Sequence, residues 1–320
     1  MKKLIKNKKL SYPYIFLLGG ITSFSLPPYN YFIINFFTLS LFFIFIINYK
    51  EYFKKKIDYF KYGWIFGFGY FILSLYWITI SLTFDENFKF LIPLTIILIP
   101  AFLAIFYGLV SYLFLILKPK KIVSMFLTFS LIFGVLEFFR GSILSGFPWN
   151  LIAYSFSNQL ELLSITSIIG TYGFNLFCIS LFTSPVIFVL RDSKKDIGVF
   201  IFFLIAIVFF YIHGSVYKEK FVKGDKKTYD YKVRTIGSNI SLDRFYKNID
   251  TISVIQDLIK ISNPVANEKT IFVWPEGILP NISKKDLIEY SWLFEEQFSE
   301  NHLLIIGTNT QSESRGSKIY

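Results

Sequence analysis

The sequence predicts a multi-pass α-helical membrane bundle of about seven helices, followed by an incomplete α/β domain. First, 53% of the 320 residues are hydrophobic and only 17% are charged, whereas soluble domains carry roughly 25% charged residues. Second, the apolar residues are concentrated in residues 10–214, and residues 215–320 have ordinary soluble polarity. Third, the lysines of the first part stand in short runs between apolar segments, as in membrane proteins.

Seven segments are candidate transmembrane helices, because a crossing needs about 20 mostly apolar residues at ~1.5 Å each. We expect a helical hairpin turned at Pro27-Pro28 between the first two, and a kink in the fourth at Pro93 and Pro100. The segments are Tyr12–Leu26, Tyr31–Ile47, Tyr62–Phe84, Phe90–Leu117, Ile122–Phe139, Leu162–Leu190 and Ile197–Ile212.

Loop charges predict the orientation of the bundle. The amino-terminal tail and every second loop hold nearly all of the basic loop residues, whereas the opposite loops hold only Lys89 and Arg140. Basic loops stay in the cytoplasm. Seven crossings then place the soluble part outside, which predicts a bacterial inner-membrane protein with its soluble domain on the periplasmic side.

The net charge of +11 does not indicate a nucleic-acid partner, because many of the lysines are the ones that orient the helices. Cys178 is the one cysteine and lies in an apolar segment, so neither an internal disulfide nor a cysteine zinc cluster is predicted. His213 and His302 each stand alone. We therefore predict no metal site and no cofactor.

The chain divides into a transmembrane domain at 1–214, a polar linker at 215–230 and a soluble domain at 231–320. The soluble part alternates strands and helices, which predicts a sheet with parallel pairs and helices on its faces. Three strands and two helices are few for such a domain, so we expect a truncated chain. The predicted elements are strand Tyr231–Gly237, helix Thr251–Ser262, strand Thr270–Trp274, helix Ser283–Ser299 (with Ser283 as N-cap) and strand Leu303–Gly307.

Glu276 is the candidate catalytic residue. The strand ending at Trp274 runs directly into Pro275-Glu276-Gly277, and ligands of parallel sheets bind beyond the carboxyl ends of the strands. The proline and the glycine restrict the turn that carries the carboxylate. The alternative is a surface glutamate in an ordinary strand-to-helix turn.

Several motifs together resemble the bacterial apolipoprotein N-acyltransferase family, the last enzymes of lipoprotein maturation. The likeness covers essentially the whole chain. The motifs are Gly67-Phe68-Gly69-Tyr70 with Tyr76-Trp77-Ile78, Glu137-Phe138-Phe139-Arg140-Gly141, Gly146-Phe147-Pro148-Trp149, Ala153-Tyr154-Ser155, Ser238-Asn239-Ile240, and Val273-Trp274-Pro275-Glu276-Gly277-Ile278-Leu279-Pro280.

The resemblance implies a nitrilase-like αββα domain of the carbon–nitrogen hydrolase type with a Glu–Lys–Cys triad. It implies a phospholipid acyl donor, a diacylglyceryl-apolipoprotein acceptor, surrounding membrane lipids and a cysteine thioester intermediate. Glu276 would be the general base, and a lysine would stabilise the oxyanion. Among these residues only Glu276 matches the triad; Cys178 and Lys284, Lys285 and Lys318 do not. We therefore expect no turnover from this chain as it stands.

Three aromatic residues are predicted to contact substrate: Trp149, Tyr154 and Tyr246. The alternative for Trp149 and Tyr154 is an interfacial aromatic belt. Tyr246 stands where the family has a tryptophan, and Gly237 stands where it usually has a glutamine. Glu137 and Arg140 lie three residues apart on one helix face, which favours a structural ion pair over binding of a lipid headgroup.

Three other functions compete with the acyltransferase interpretation. A transporter with an accessory soluble domain would need ionisable residues inside its helices, and Glu137 is the one acid within a predicted span, at its edge. A different membrane-tethered amidase could use the same triad. A non-catalytic remnant would fit a truncated chain.

Overall fold

The structure is a computed structural model that describes residues 7–48, 55–144, 146–224, 229–237, 250–279 and 282–308. Tyr246 and the Ser238-Asn239-Ile240 motif lie outside these ranges. The chain forms two compact units, Met1–Gly224 and Asp225–Tyr320.

The described part of the first unit consists of helices and connecting loops. Short 3-10 helices lie at Tyr76–Thr83, Glu86–Leu91, Ile152–Phe156 and Lys194–Asp196. The α-helices are α1 (Lys8–Ser23), α2 (Ile33–Asn48), α3 (Lys56–Ser74), α4 (Ile92–Leu117), α5 (Ile122–Ser142), α6 (Leu160–Leu163), α7 (Thr166–Thr183), α8 (Pro185–Leu190) and α9 (Ile197–Lys223).

Four helical stretches of the described chain are long and apolar enough to cross a membrane, and a fifth qualifies if the bent pair formed by α3 and the Tyr76–Thr83 helix is one span. Helices α1 and α2 have 16 residues each, or roughly 24 Å, which is less than the ~30 Å hydrocarbon core. By length and composition the structure therefore shows four or five spans, and the count of seven stays a prediction. The four stretches are Glu86–Leu117, Ile122–Ser142, Thr166–Leu190 and Lys194–Lys223.

Two predicted segments are less regular than the sequence suggested. The segment Tyr62–Phe84 bends by 46° after Ser74, where Leu75 leaves helical geometry with φ −117° and ψ 6°. The segment Leu162–Leu190 is interrupted at Gly170, whose φ of +72° is readily adopted only by glycine. By contrast, α4 continues through Pro100, and α9 runs to Lys223, beyond the boundary predicted at 214.

Helices α1 and α3 pack side by side and run in the same direction. Tyr12 lies 5.0 Å from Tyr62 between ring centroids, and further along both helices Phe16 lies 6.1 Å from Phe68. Between them the backbones touch: a Cβ on Gly19 would lie 2.0 Å from the Phe66 carbonyl oxygen. Small residues that allow such an approach are typical of helix interfaces in membranes.

Replacing Gly19 with Ala is expected to destabilise the first unit by about 1–3 kcal/mol, as overpacking does. The obstacle is the backbone of α3, which cannot rotate away as a side chain could. The matched control is Gly198→Ala on α9, where a Cβ would meet nothing within 4 Å. The measurement is the unfolding midpoint in detergent; equal midpoints for the two variants would contradict this packing.

The second unit contains a three-stranded parallel sheet in the order β1-β2-β3. The strands are β1 (Lys232–Thr235), β2 (Thr270–Val273) and β3 (His302–Ile305), and α10 (Thr251–Ser262) connects β1 to β2. The core includes Ile255 and Leu258 of α10 with Phe272 and Trp274. The alternation of strands and helices is thus confirmed in this part of the chain; a complete nitrilase-like domain stays a prediction.

The prediction of a single helix at Ser283–Ser299 is wrong. Two short helices replace it, α11 (Lys284–Glu289) and α12 (Ser291–Glu295), because Tyr290 departs from helical geometry with φ −96° and ψ 12°. The N-cap prediction is confirmed: the Ser283 hydroxyl and the Asp286 carboxylate form a capping box. Hydrogen bonds from Ser283 lower the pKa of Asp286.

Candidate functional site

Glu276 lies just beyond the carboxyl end of β2, the central strand of the sheet. It is exposed and opens a turn in which Gly277 has φ +63°. A Cβ on Gly307, which follows β3, would lie 3.9 Å from the Glu276 Cα. The carboxylate therefore stands at the edge of the sheet where the ends of β2 and β3 meet.

Buried side chains on both sides hold this turn in place. Before it, Trp274 is 3% exposed, and its indole Nε1 donates to the Ser262 hydroxyl of α10 at 3.0 Å. After it, Ile278 and Leu279 enter the core. The turn is thus fixed by its flanks, while the carboxylate between them stays in solvent.

In the first unit, the loop after α5 is held by a buried ion pair. Arg140 Nη2 lies 2.5 Å from Glu137 Oε2, and the two side chains are 0% and 1% exposed. The other terminal nitrogen of Arg140 donates to the carbonyl oxygens of Phe147 at 2.7 Å and Trp149 at 2.9 Å. The structural interpretation of this pair is confirmed, because the guanidinium is buried among protein acceptors.

Trp149 places its ring outside this buried cluster. It is 56% exposed and packs edge-to-face on Trp77, with ring centroids 5.9 Å apart. Trp77 was not among the candidate site residues, and it is itself 42% exposed. Trp77 lies inside the predicted span Tyr62–Phe84, so the sequence carried no signal that could have added it to the candidate site.

Tyr154 lies in the Ile152–Phe156 helix and is half-buried. Burial raises the pKa of its phenol, so the group is neutral at physiological pH. The backbone of this helix is held by Asn175, whose side-chain oxygen accepts from the Ala153 amide at 3.0 Å. Trp149 and Tyr154 belong to the first unit and Glu276 to the second.

An apolar cavity of about 330 Å³ lies between α4 and the end of α5. Arg140 and Phe147 form part of its wall, next to Trp149 in the loop that follows α5 (the Trp149 loop). The remaining wall is almost entirely hydrophobic: Leu98, Ile99, Phe102, Leu103, Phe106, Ile143, Leu144 and Gly146.

Cys178 and His302 occupy structural positions. Cys178 is 0% exposed within α7, so its thiol cannot reach a substrate. His302 links three segments: its Nδ1 accepts from the Ser299 amide, and its Nε2 lies 3.0 Å from the Val265 carbonyl oxygen. Among the described residues no group of three His, Cys, Asp or Glu side chains could hold a metal ion.

Comparison with known proteins identifies the family. Residues 18–183 match the family model of the apolipoprotein N-acyltransferase N-terminal domain. This chain belongs to that family. The matched region contains the Glu137–Arg140 pair and the loop with Trp149.

Curated apolipoprotein N-acyltransferases are similar to more than half of the chain. An apolipoprotein N-acyltransferase of Allorhizobium ampelinum is 25% identical over 313 residues, covering 94% of this chain and 57% of the relative. One of Rhizobium etli is 31% identical over 184 residues, covering 55% and 34%. One of Brucella melitensis is 28% identical over 228 residues, covering 69% and 42%. The chain thus spans about half the length of the curated relatives it matches.

Proposed function

We propose that the chain supplies the membrane part and the glutamate base of an apolipoprotein N-acyltransferase. The reaction moves an acyl chain from a phospholipid to the amine of an amino-terminal diacylglyceryl-cysteine through a thioester. The observation that carries the proposal is the family match over residues 18–183, followed in the same chain by a glutamate held at the carboxyl end of a parallel strand.

In this proposal Glu276 works as a general base. A carboxylate at the solvent-exposed edge of the sheet takes the proton of the attacking thiol in the first half-reaction, and that of the incoming ammonium in the second. Both transfers need a carboxylate whose backbone is fixed, and the buried Trp274 and Ile278 that flank the turn supply this. The lysine and the cysteine of the triad have no counterpart in residues 1–320.

The proposed membrane arrangement has seven crossings in the inner membrane, with the soluble part in the periplasm. The shared direction of α1 and α3 supports it, because two neighbouring parallel helices require a returning segment between them. Helix α2 is that segment: Phe42 stacks on Phe66 and, further along α2, Phe45 meets Tyr62 nearer the start of α3. The short helices α1 and α2 therefore pack against the helix that begins the proposed third crossing.

The acyl donor is proposed to enter beside the Trp149 loop. The cavity between α4 and α5 is apolar, borders the segment that carries Trp149, and has space for part of an acyl chain. Trp149, Tyr154 and Tyr246 remain the proposed substrate contacts. Glu137 is ion-paired with Arg140 rather than directed to a permeation path, which favours an acyltransferase over a transporter.

The test is a mass assay of lipoprotein amino termini in cells depleted of their own N-acyltransferase. A longer gene, in which the same reading frame continues through a lysine and a cysteine, is expected to restore triacylated lipoproteins. Residues 1–320 alone are expected to leave them diacylated. Diacylated lipoproteins from the continued frame, with the protein present in the membrane, would overturn the proposal.

A further inference from the structure

We propose that Arg140 is a positioning residue that holds the Trp149 indole against Trp77, making a two-indole surface at the end of the bundle. The role of that surface as a contact for the phospholipid donor rests on the proposed function. The positioning itself rests on the contacts around Arg140 alone.

The Arg140 side chain makes four hydrogen bonds to three partner residues. Its Nε and Nη2 face the Glu137 carboxylate, and its Nη1 donates to both loop carbonyls, Phe147 and Trp149. A planar fork with five N–H groups can face a carboxylate with two nitrogens and still donate to two carbonyls, whereas an ammonium group has only three N–H donors for these four bonds. Glu137 therefore orients the arginine, and the arginine orients the loop.

The loop after α5 needs these hydrogen bonds because its backbone is strained. Leu144 has φ +61° and Asn150 has φ +59°, in a region that residues other than glycine seldom occupy. Strain of this kind persists where surrounding contacts fix the conformation. Here Arg140 fixes the carbonyls at 147 and 149, and the Tyr70 hydroxyl donates to the Asn150 carbonyl at 2.9 Å.

One acceptor joins the loop to the second indole. The Ser74 carbonyl at the end of α3 accepts from the Asn150 side chain at 3.2 Å and from the Trp77 indole at 3.1 Å. A chain of hydrogen bonds therefore links Glu137 through Arg140 to the loop, and the loop through the Ser74 carbonyl to Trp77. These hydrogen bonds place the Trp149 and Trp77 rings edge to face, with 71° between the ring planes.

The experiment measures the exciton couplet of the Trp77–Trp149 pair by circular dichroism of the full chain in detergent. The signal of the pair is the wild-type spectrum minus that of Trp149→Phe. In the double variant E137M/R140M both buried charges are removed together, so that neither is left unpaired. We expect this variant to lose the couplet to the level of Trp149→Phe, and R140K to lose part of it.

Control variants separate positioning from general damage. Lys218→Met breaks the ion pair with Glu161, which is partly exposed and distant in sequence, and is expected to keep the full couplet. A full couplet in E137M/R140M would overturn the proposal, and if that variant does not fold, a full couplet in R140K would do so. Loss of the couplet in Lys218→Met as well would also overturn it, since the effect would not belong to Arg140. A normal couplet in a protein that fails the acylation assay would count against the proposed function alone.

Discussion

Replacing Arg140 with Met is expected to destabilise the membrane unit by about 3–5 kcal/mol, the cost of breaking a buried ion pair from one side. The substitution leaves Glu137 at 1% side-chain exposure without its cation. It also removes both donors from the carbonyls of Phe147 and Trp149. The measurement is denaturant or thermal unfolding of the purified chain in detergent.

The double variant E137M/R140M is the informative comparison. Removing both charges avoids the uncompensated carboxylate, so most of the lost stability should return even though the hydrogen bonds to the loop carbonyls are gone. Lys218→Met, at an ion pair whose lysine is 57% exposed, should cost no more than about 1 kcal/mol. An Arg140→Met variant as stable as Lys218→Met would show that the pair is not buried as described.

The sequence predicted the Glu137–Arg140 pair but not what the pair holds. Two opposite charges three residues apart on a helix meet because of helix geometry alone. The acceptors of the second guanidinium nitrogen are backbone carbonyls, and their direction depends on the positive φ angles at Leu144 and Gly146. Composition and residue spacing do not predict a positive φ angle at a residue other than glycine, such as Leu144.

Apolar runs predicted where helices lie but not where they break. The segment Tyr62–Phe84 is hydrophobic throughout, so no change of polarity marks the bend after Ser74. Trp77 was missed as a site residue for the same reason: a tryptophan in an apolar run looks like packing. Only the bend brings it out of the helix and against Trp149.

In the soluble unit, local sequence signals decided which predictions succeeded. The helix Thr251–Ser262 was predicted from the spacing of its apolar residues and is observed with the same bounds; in the structure Asp250 caps its start and Asn263 adopts the left-handed conformation after its end. The helix predicted at Ser283–Ser299 had a clear start at Ser283 but no signal for the break at Tyr290. There the aromatic residues Phe294 and Phe298 pack against the core beside Trp274 and Phe272, which is a tertiary effect.

Replacing Glu276 with Gln is expected to lower the rate of acyl transfer by about 10²–10⁴-fold in the enzyme with its complete triad, the usual contribution of a general base. The amide has nearly the shape of the carboxylate but cannot accept a proton from a thiol or an ammonium. Because the side chain is exposed, the fold should be unaffected. The measurement is the rate of lipoprotein N-acylation by mass spectrometry, with unfolding monitored in parallel.

Glu296→Gln provides the matched control, since this exposed glutamate of the same unit directly follows α12 and does not follow the carboxyl end of a strand. It should retain the full rate. The physical distinction is position, because both residues are carboxylates in solvent and only one follows the central strand in a turn fixed by Trp274 and Ile278. Equal rates for the two variants would assign Glu276 to an ordinary surface turn, and the base would then have to be sought elsewhere at the same edge of the sheet.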